Sequence, residues 1–403
     1  MAEKRLRQLE TSRVYDSPSL DRHDRHVLHQ INDVHRRLSS ALQKSPRSTA
    51  ILRRSAQAQA IRGSNSIEGY VVSEQDALAA VDDDEPMSAD QRTWAEIVGY
   101  RRVLTYVLQL ASTPGFRLDA MTLRSMHFML LEHDLSKSPG QYRPGVVYVQ
   151  DEATGQAVYE APDSDAVPAL VDALAERLDA DRGTDPLVRG AMAHLNLVMV
   201  HPFRDGNGRM ARALQTLVLA QDDVLEPSFS SIEEWLGRNT EDYYRVLAAT
   251  GHGAWRPERD AHLWVKFCLR AHHMQAQTQA RRFREAEELW SAIDALVTDH
   301  GLPERTADLL FDAVRGARIQ RPSYARRAGL EDRTATRDLG RLVDAGLLHP
   351  YGQTRGRYYE ATERLMHPFL AMRSGRRPLE DPFPELMDEI RRASPPVTEA
   401  RTV

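Results

Sequence analysis

Residues 201–212 read His-Pro-Phe-Arg-Asp-Gly-Asn-Gly-Arg-Met-Ala-Arg. An apolar helical stretch runs up to Val200, and Pro202 cannot continue a helix without a break. A second apolar helix is expected to start near Arg209. The turn between them, Asp205-Gly206-Asn207-Gly208, feeds a helix N-terminus. Such a turn aims several backbone N–H groups and the positive dipole end at one point, which suits phosphate. Arg209 and Arg212 lie three apart and share a helix face. Cations at a helix start oppose the dipole, so a pair there makes sense where an anion is awaited. Asp205 offers a hard oxygen for Mg²⁺ beside such phosphates. His201 can act as a general base near neutral pH. The plain alternative is a helix-loop-helix corner with solvated arginines. A lone Gly-Asn-Gly would deserve that reading, whereas the whole string suits one phosphate–metal task.

The elements that must position this string are mainly helices. Leu, Val, Ala and Met recur at helical spacing over most of the 403 residues, and β-branched runs are few. A cluster, Arg62-Gly63-Ser64-Asn65-Ser66, is expected to interrupt the N-terminal helices. Helices are expected over about 88–110 and 118–133. Residues 146–159 alternate β-branched and aromatic arms around a Gly-containing turn, the pattern of a hairpin. The expected divisions are a helical N-terminal region at 1–110, a core at 111–275, a linker helix at 276–305, a smaller domain at 306–375 and a Pro-rich tail at 376–403, its end mobile. The net charge of −5 excludes a global basic field. One cysteine, Cys268, excludes a disulfide framework or a cysteine-held metal. No run is long and apolar enough for a membrane span, and the first residues lack a secretory apolar stretch. A cytoplasmic location and no membrane partner are therefore expected. Of the 53 basic residues 49 are arginine, a bias that reads as that of a GC-rich bacterial genome; the lysines are Lys4, Lys44, Lys137 and Lys266.

The string from His201 to Arg212 resembles the complete signature of the Fic family, His-Pro-Phe-x-Asp/Glu-Gly-Asn-Gly-Arg-x-x-Arg. The resemblance implies an all-α Fic core with a β-hairpin flap, and transfer of AMP from ATP to a hydroxyl of a target protein, the enzyme itself included. It implies that His201 deprotonates that hydroxyl and Asp205 holds Mg²⁺. Gly206, Asn207 and Gly208 would form the anion hole, Arg209 and Arg212 would hold the phosphates, and Phe203 would anchor the loop. The hairpin, with Val147, Tyr148 and Val149, resembles the flap whose edge pairs with the target. Asn239 and one of Tyr243 or Tyr244 would approach the base or ribose by the same resemblance, with Tyr243 preferred; core packing is the alternative for either tyrosine. Ser64-Asn65-Ser66-Ile67-Glu68-Gly69 is similar to the family's inhibitory motif, with Ser64, Glu68 and Gly69 at its specified positions. A bidentate Glu68–Arg212 pair would then occupy the arginine that the γ-phosphate needs. A helix cap, with Ser64 or Ser66 capping and Gly69 ending a short turn, is the alternative. Proteins of this layout often dimerise, so a homodimer is also implied. His367-Pro368-Phe369 repeats three letters of the signature without Gly-Asn-Gly and reads as structural.

From Thr306 onward the pattern resembles a winged helix-turn-helix: helices over 306–315, 322–329 and 334–348, then a wing over 351–359. Within 318–357 nine arginines face four acids, a local +5. Thr334, Thr336 and Arg337 fall near the start of the recognition helix, and Arg355 and Arg357 fall on the wing, positions that suit DNA. Protein interaction is the alternative for this module. Three functions follow: an autoinhibited adenylyltransferase, an enzyme that removes AMP with the same glutamate or does both, and a DNA-binding regulator with a nucleotide-sensing core.

Overall fold

The computed structural model describes residues 13–145, 148–150, 157–222, 225–353 and 356–394. Helices α1 (Arg22–Lys44), α2 (Pro46–Ile67), α3 (Glu74–Asp82) and α4 (Gln91–Ala111) open the chain. Then come α5 (Ala120–Leu131), the antiparallel pair β1 (Tyr148–Gln150) and β2 (Ala157–Glu160), α6 (Val167–Ala180), α7 (Pro186–Val200) and α8 (Asn207–Gln221). Short helices α9 (Pro227–Ser230) and α10 (Glu233–Arg238) lead to α11 (Thr240–Gly251) and the 38-residue α12 (His262–Asp299). The last part holds α13 (Thr306–Val314), α14 (Arg321–Arg327), α15 (Asp332–Asp344), the antiparallel pair β3 (Leu348–Tyr351) and β4 (Tyr358–Ala361), α16 (Glu363–Ser374) and α17 (Leu386–Ala393). Among the described residues no helix is long and apolar enough to cross a membrane.

The two helices flanking the signature, α7 and α8, form a hairpin at the centre. Both are buried all round rather than on one stripe, which is why their apolar pattern is nearly continuous. One apolar cluster packs α4, α5 and α6 against α8, with Tyr100, Met126, Leu130, Leu170 and Phe203 inside. A second packs α7 against α11 and α12 through Leu195, Tyr243, Trp264 and Phe267. The third joins Leu38, Leu42, Leu52 and Ala56 of α1 and α2 to Trp290, Phe311 and Leu339.

Two expectations are corrected. The break at 62–66 does not occur: α2 runs through Gly63 to Ile67. Gly63 serves a close crossing of α2 and α10 instead. A Cβ there would fall 2.3 Å from the Glu233 carbonyl oxygen, and one on Gly237 would fall 2.7 Å from the Gly63 Cα. The linker at 276–305 is not separate, because α12 passes unbroken from the core through position 276. Its far half buries Ala286, Leu289, Trp290 and Ile293. The Pro-rich tail is docked over the residues described, while its end, expected to be mobile, lies outside the described residues. Asp381 pairs with Arg270 at 2.7 Å, Arg376 with Glu285 at 2.6 Å, and Phe383, Leu386 and Ile390 are buried against the core. Residues 367–369 lie inside α16, with Phe369 buried, as the structural reading of that second His-Pro-Phe expects.

Substituting Gly63→Val drives a side chain into backbone that cannot yield. It is expected to reduce the unfolding free energy by about 1–3 kcal/mol in urea titration. Gly340→Ala, at a helical glycine with nothing within 4 Å of the added carbon, should be neutral or stabilising.

Candidate functional site

The site is built on the turn between α7 and α8. His201 caps α7 in the left-handed region at φ 50°, its N–H bonded to the Leu197 carbonyl at 3.0 Å. Histidine enters that region more readily than most residues, and the turn swings its ring out of the helix. Nδ1 lies 3.3 Å from the Val198 carbonyl. Nδ1 therefore carries the hydrogen, and Nε2 presents its lone pair. Burial pushes the His201 pKa down to about 4, so the ring is neutral at pH 7 and able to accept a proton.

The loop beyond is pinned from several sides. Phe203 is fully buried and stacks on His127, with centroids 3.8 Å apart. His127 Nδ1 accepts the Gly140 N–H at 2.8 Å, so its Nε2 donates to the Asp205 carbonyl at 3.0 Å. The Asn207 side chain accepts from the Phe203 N–H and donates to the Phe203 carbonyl, both at 2.9 Å. The amide oxygen and one of its N–H donors are thereby spent on the loop, while the Asn207 backbone N–H lies in the first turn of α8. Arg143, 3% exposed, donates to the carbonyls of His201 at 2.7 Å and Gly145 at 2.5 Å, and to that of Pro162. One guanidinium so ties the His201 turn to both feet of the β1–β2 hairpin and places positive charge at the C-terminus of α7, where the dipole favours it.

Gly206, at φ 76°, starts α8, and Met210 makes the first intrahelical bond, to the Gly206 carbonyl at 2.9 Å. The N–H groups of Asn207, Gly208 and Arg209 remain as first-turn donors. Two buried arginines stand beside them. Arg212 donates from Nη2 to Glu68 Oε1 at 2.7 Å and to the Ser64 carbonyl at 3.0 Å, and from Nε to Ser64 Oγ at 2.7 Å. The pair is single rather than the expected bidentate fork: Ser64 takes Nε and shares Nη2 with Glu68, while the buried Nη1 makes no hydrogen bond among the described residues. Burial opposes the Arg212 charge, but Glu68 outweighs it and holds the guanidinium protonated. A Cβ on Gly208 would meet the Glu68 carboxylate at 2.4 Å, so this carboxylate fills the anion position over the helix start.

Arg209, 1% exposed, donates to Glu96 Oε2 at 2.5 Å. Glu96 also accepts from Tyr70 at 2.7 Å and from Lys137 Nζ at 2.8 Å. Burial alone would raise its pKa; Arg209, Lys137 and Tyr70 hold it at about 2 instead. Lys137 Nζ also lies 2.8 Å from Asp205 Oδ2, while Asp205 Oδ1 accepts the Gly206 N–H at 2.6 Å. Burial opposes the Asp205 charge, and Lys137 overrides it and lowers that pKa. One carboxylate beside phosphate donors is a donor set that fits Mg²⁺, which prefers few protein ligands and keeps its phosphates and waters.

Tyr243 is placed in the core: it is 1% exposed and its hydroxyl meets His194 Nε2 at 2.9 Å. Tyr244 is the accessible partner at 48%, with its hydroxyl on the Ile67 carbonyl at 3.1 Å. Asn239 donates to the Trp235 carbonyl at 2.7 Å. Gly69, at φ 83°, ends α2 with its N–H on the Ser66 carbonyl, while Tyr70 N–H reaches Asn65. Gly69 ends the helix as the cap reading expects, and this turn is what sets Glu68 at the helix end. Ser64 and Ser66, expected on that reading as capping residues, lie inside α2 and cap no helix start. Tyr148 and Val149 lie on β1, whereas Val147 falls outside the described residues.

The +5 tally on 318–357 is partly consumed. Arg318 pairs with Glu360, Arg326 with Asp84 and Arg327 with Asp312, three acids outside that span, and Arg321 pairs with Asp332, already counted within it. Arg333, Arg337 and Arg341 are exposed along α15, as is Thr336, while Thr334 is half-buried. Arg357 is exposed, and Arg355 lies outside the described residues. Glu96, Lys137, His127 and Arg143 carried no signal in the sequence, since each meets the loop from a remote segment with no motif of its own.

Residues 117–219 match the family model described as Fic/DOC family. The chain is 27% identical over 257 residues to protein adenylyltransferase fic-1 of Caenorhabditis briggsae, covering 61% of this chain and 46% of that protein. It is 26% identical over 253 residues to protein adenylyltransferase Fic of Nematostella vectensis, covering 60% and 54%. The chain spans about half the length of these curated relatives. A solved Fic family protein from Desulfovibrio desulfuricans G20 aligns with a TM-score of 0.56 at 25% identity, over 87% of this chain and 99% of that one.

The buried histidines make stability depend on pH. Burial lowers the pKa of His35, His127 and His201 to about 4 and of His194 and His272 to about 3, from 6.5. The unfolded chain therefore takes up these protons first. Their contribution is complete above 6.5 and is lost as pH falls toward 4, by about 1 kcal/mol for each group near pH 5.5. Glu233, raised by burial to about 7, acts in the opposite sense over the same range. Five against one leaves a net loss, so the urea midpoint is expected to drop between about pH 7.5 and 5.5. An unchanged midpoint would contradict it.

Proposed function

From the Fic domain that this chain carries at residues 117–219, we propose that it is a protein adenylyltransferase held inactive by its own Glu68. The observation that carries the reading is the contact of Glu68 with Arg212 and Gly208 at the start of α8. In the proposed reaction His201 Nε2 takes the proton of a Ser, Thr or Tyr hydroxyl on the target protein. The freed oxygen bonds to the α-phosphorus of ATP, and the bond to pyrophosphate breaks. The first-turn N–H groups of α8 with Arg209 and Arg212 receive the phosphates. Asp205 would hold Mg²⁺, which neutralises phosphate charge when bound. Arg143 keeps the His201 turn and the feet of the hairpin in fixed relation, so that a target segment added to the hairpin edge would arrive beside Nε2. With Glu68 over Gly208, the γ-phosphate has no place on Arg212, and ATP would bind in a pose unsuited to attack.

The test is transfer from α-labelled ATP, with Mg²⁺ and cell lysate, by wild type, Glu68→Gly and Glu68→Gly/His201→Ala. Glu68→Gly is expected to raise labelling several-fold, self-labelling included, and the added His201→Ala to abolish it. Equal labelling by Glu68→Gly and wild type would sink the inhibitory role. Release of pre-attached AMP by wild type but not by Glu68→Gly would support the reverse activity, in which the same carboxylate positions water.

The exposed row Arg333, Thr336, Arg337 and Arg341 on α15 supports a second role, binding of duplex DNA by the C-terminal module. Arg337→Ala is expected to weaken salt-dependent retention of the full chain on duplex DNA. Absence of retention by wild type at low salt would remove that role.

A further inference from the structure

Lys137 bridges two carboxylates with very different surroundings. Its Nζ is 2.8 Å from both Glu96 Oε1 and Asp205 Oδ2. The Glu96 side chain is 1% exposed, Lys137 15% and Asp205 38%, so the ammonium stands between the interior and the open mouth of the site. Its backbone is fixed in the short turn Leu135–Lys137, with Asp134 accepting from the N–H and hydroxyl of Ser136 at 3.1 and 2.6 Å. The four-carbon side chain is the part that can move.

We propose that Lys137 is a resident counter-cation that occupies the outward oxygen of Asp205 until metal and nucleotide arrive together, then withdraws onto Glu96. This deepens the proposed role of Asp205 and rests on it. A divalent cation on Oδ2 would take the place where the ammonium now sits and would face a like charge at close range. Metal alone must displace Lys137. Metal delivered with phosphates brings compensating negative charge. The retreat leaves no group without a partner, because Glu96 already takes Arg209, Tyr70 and Lys137 together and lies 3.3 Å from His133 Nε2. The residue type supports the role as well. In a chain where 49 of 53 basic residues are arginine, this position holds one of four lysines. An ammonium is a compact point charge on a flexible stem, whereas a guanidinium would fork rigidly across both carboxylates.

The test is nucleotide-free Mn²⁺ binding to the full chain, read by electron paramagnetic resonance. Wild type is expected to bind weakly, Lys137→Met about tenfold tighter, and Lys137→Arg no tighter than wild type. Lys137→Met/Asp205→Asn should lose the gain. Lys137→Gln, which keeps a hydrogen-bond donor without charge, should reproduce the gain and stands in should Lys137→Met fail to fold; circular dichroism checks both. Equal Mn²⁺ affinity in wild type and the two neutral variants, with Asp205→Asn weakening all of them, would overturn the role of Lys137 and leave that of Asp205 standing. Mn²⁺ binding indifferent to Asp205→Asn in every background would overturn both.

Discussion

A guanidinium that is 1% exposed at the positive end of a helix must be given a counter-charge, and Arg212 receives its own from 144 residues upstream. Burying an unpaired charge there would cost several kcal/mol. Much of the architecture serves this contact. Helix α2 has to end where Glu68 can reach Gly208, and Gly69 in the left-handed region makes that ending. The same helix has to lie close enough for Ser64 to take the Nε edge of Arg212, and one residue earlier Gly63 lets it cross α10 closely at Gly237.

The second arginine follows the same rule with different groups. Arg209 is answered by Glu96, and Glu96 hands charge outward through Lys137 to Asp205. Each feature that suits an anion or a metal is therefore already matched by charge from the chain itself. That makes the site stable without ligands. A ligand must compete with internal partners rather than simply fill space, and its affinity is a difference between two charge-matched states.

Helix α2 also joins the site to the far end of the molecule. Near its start Arg47 pairs with Asp294 and Asp308, Arg54 pairs with Asp82 and Asp312, and Leu52 and Ala56 sit in the C-terminal apolar cluster. Its last turn carries Ser64, with Glu68 at the cap. The segment that covers the arginine is thus held at one end by the C-terminal module and at the other by α8.

What the sequence determined by itself was local chemistry. The 201–212 string, the proline and glycine that bound it, the apolar runs on either side and the Ser64–Gly69 motif were all legible. So were the hairpin before the signature and the order of the C-terminal helices and strands, because each rests on spacing within a dozen residues. Tertiary structure alone decided how distant side chains share charge. It brought Glu96, Lys137 and Arg143 to the loop, put Tyr243 rather than Tyr244 in the core, and used Gly63 for a close crossing where composition suggested a break. It also neutralised four of the arginines counted as a basic patch. Periodicity records which face of an element is apolar. Which charge answers which is settled by burial across elements, and no local pattern encodes that.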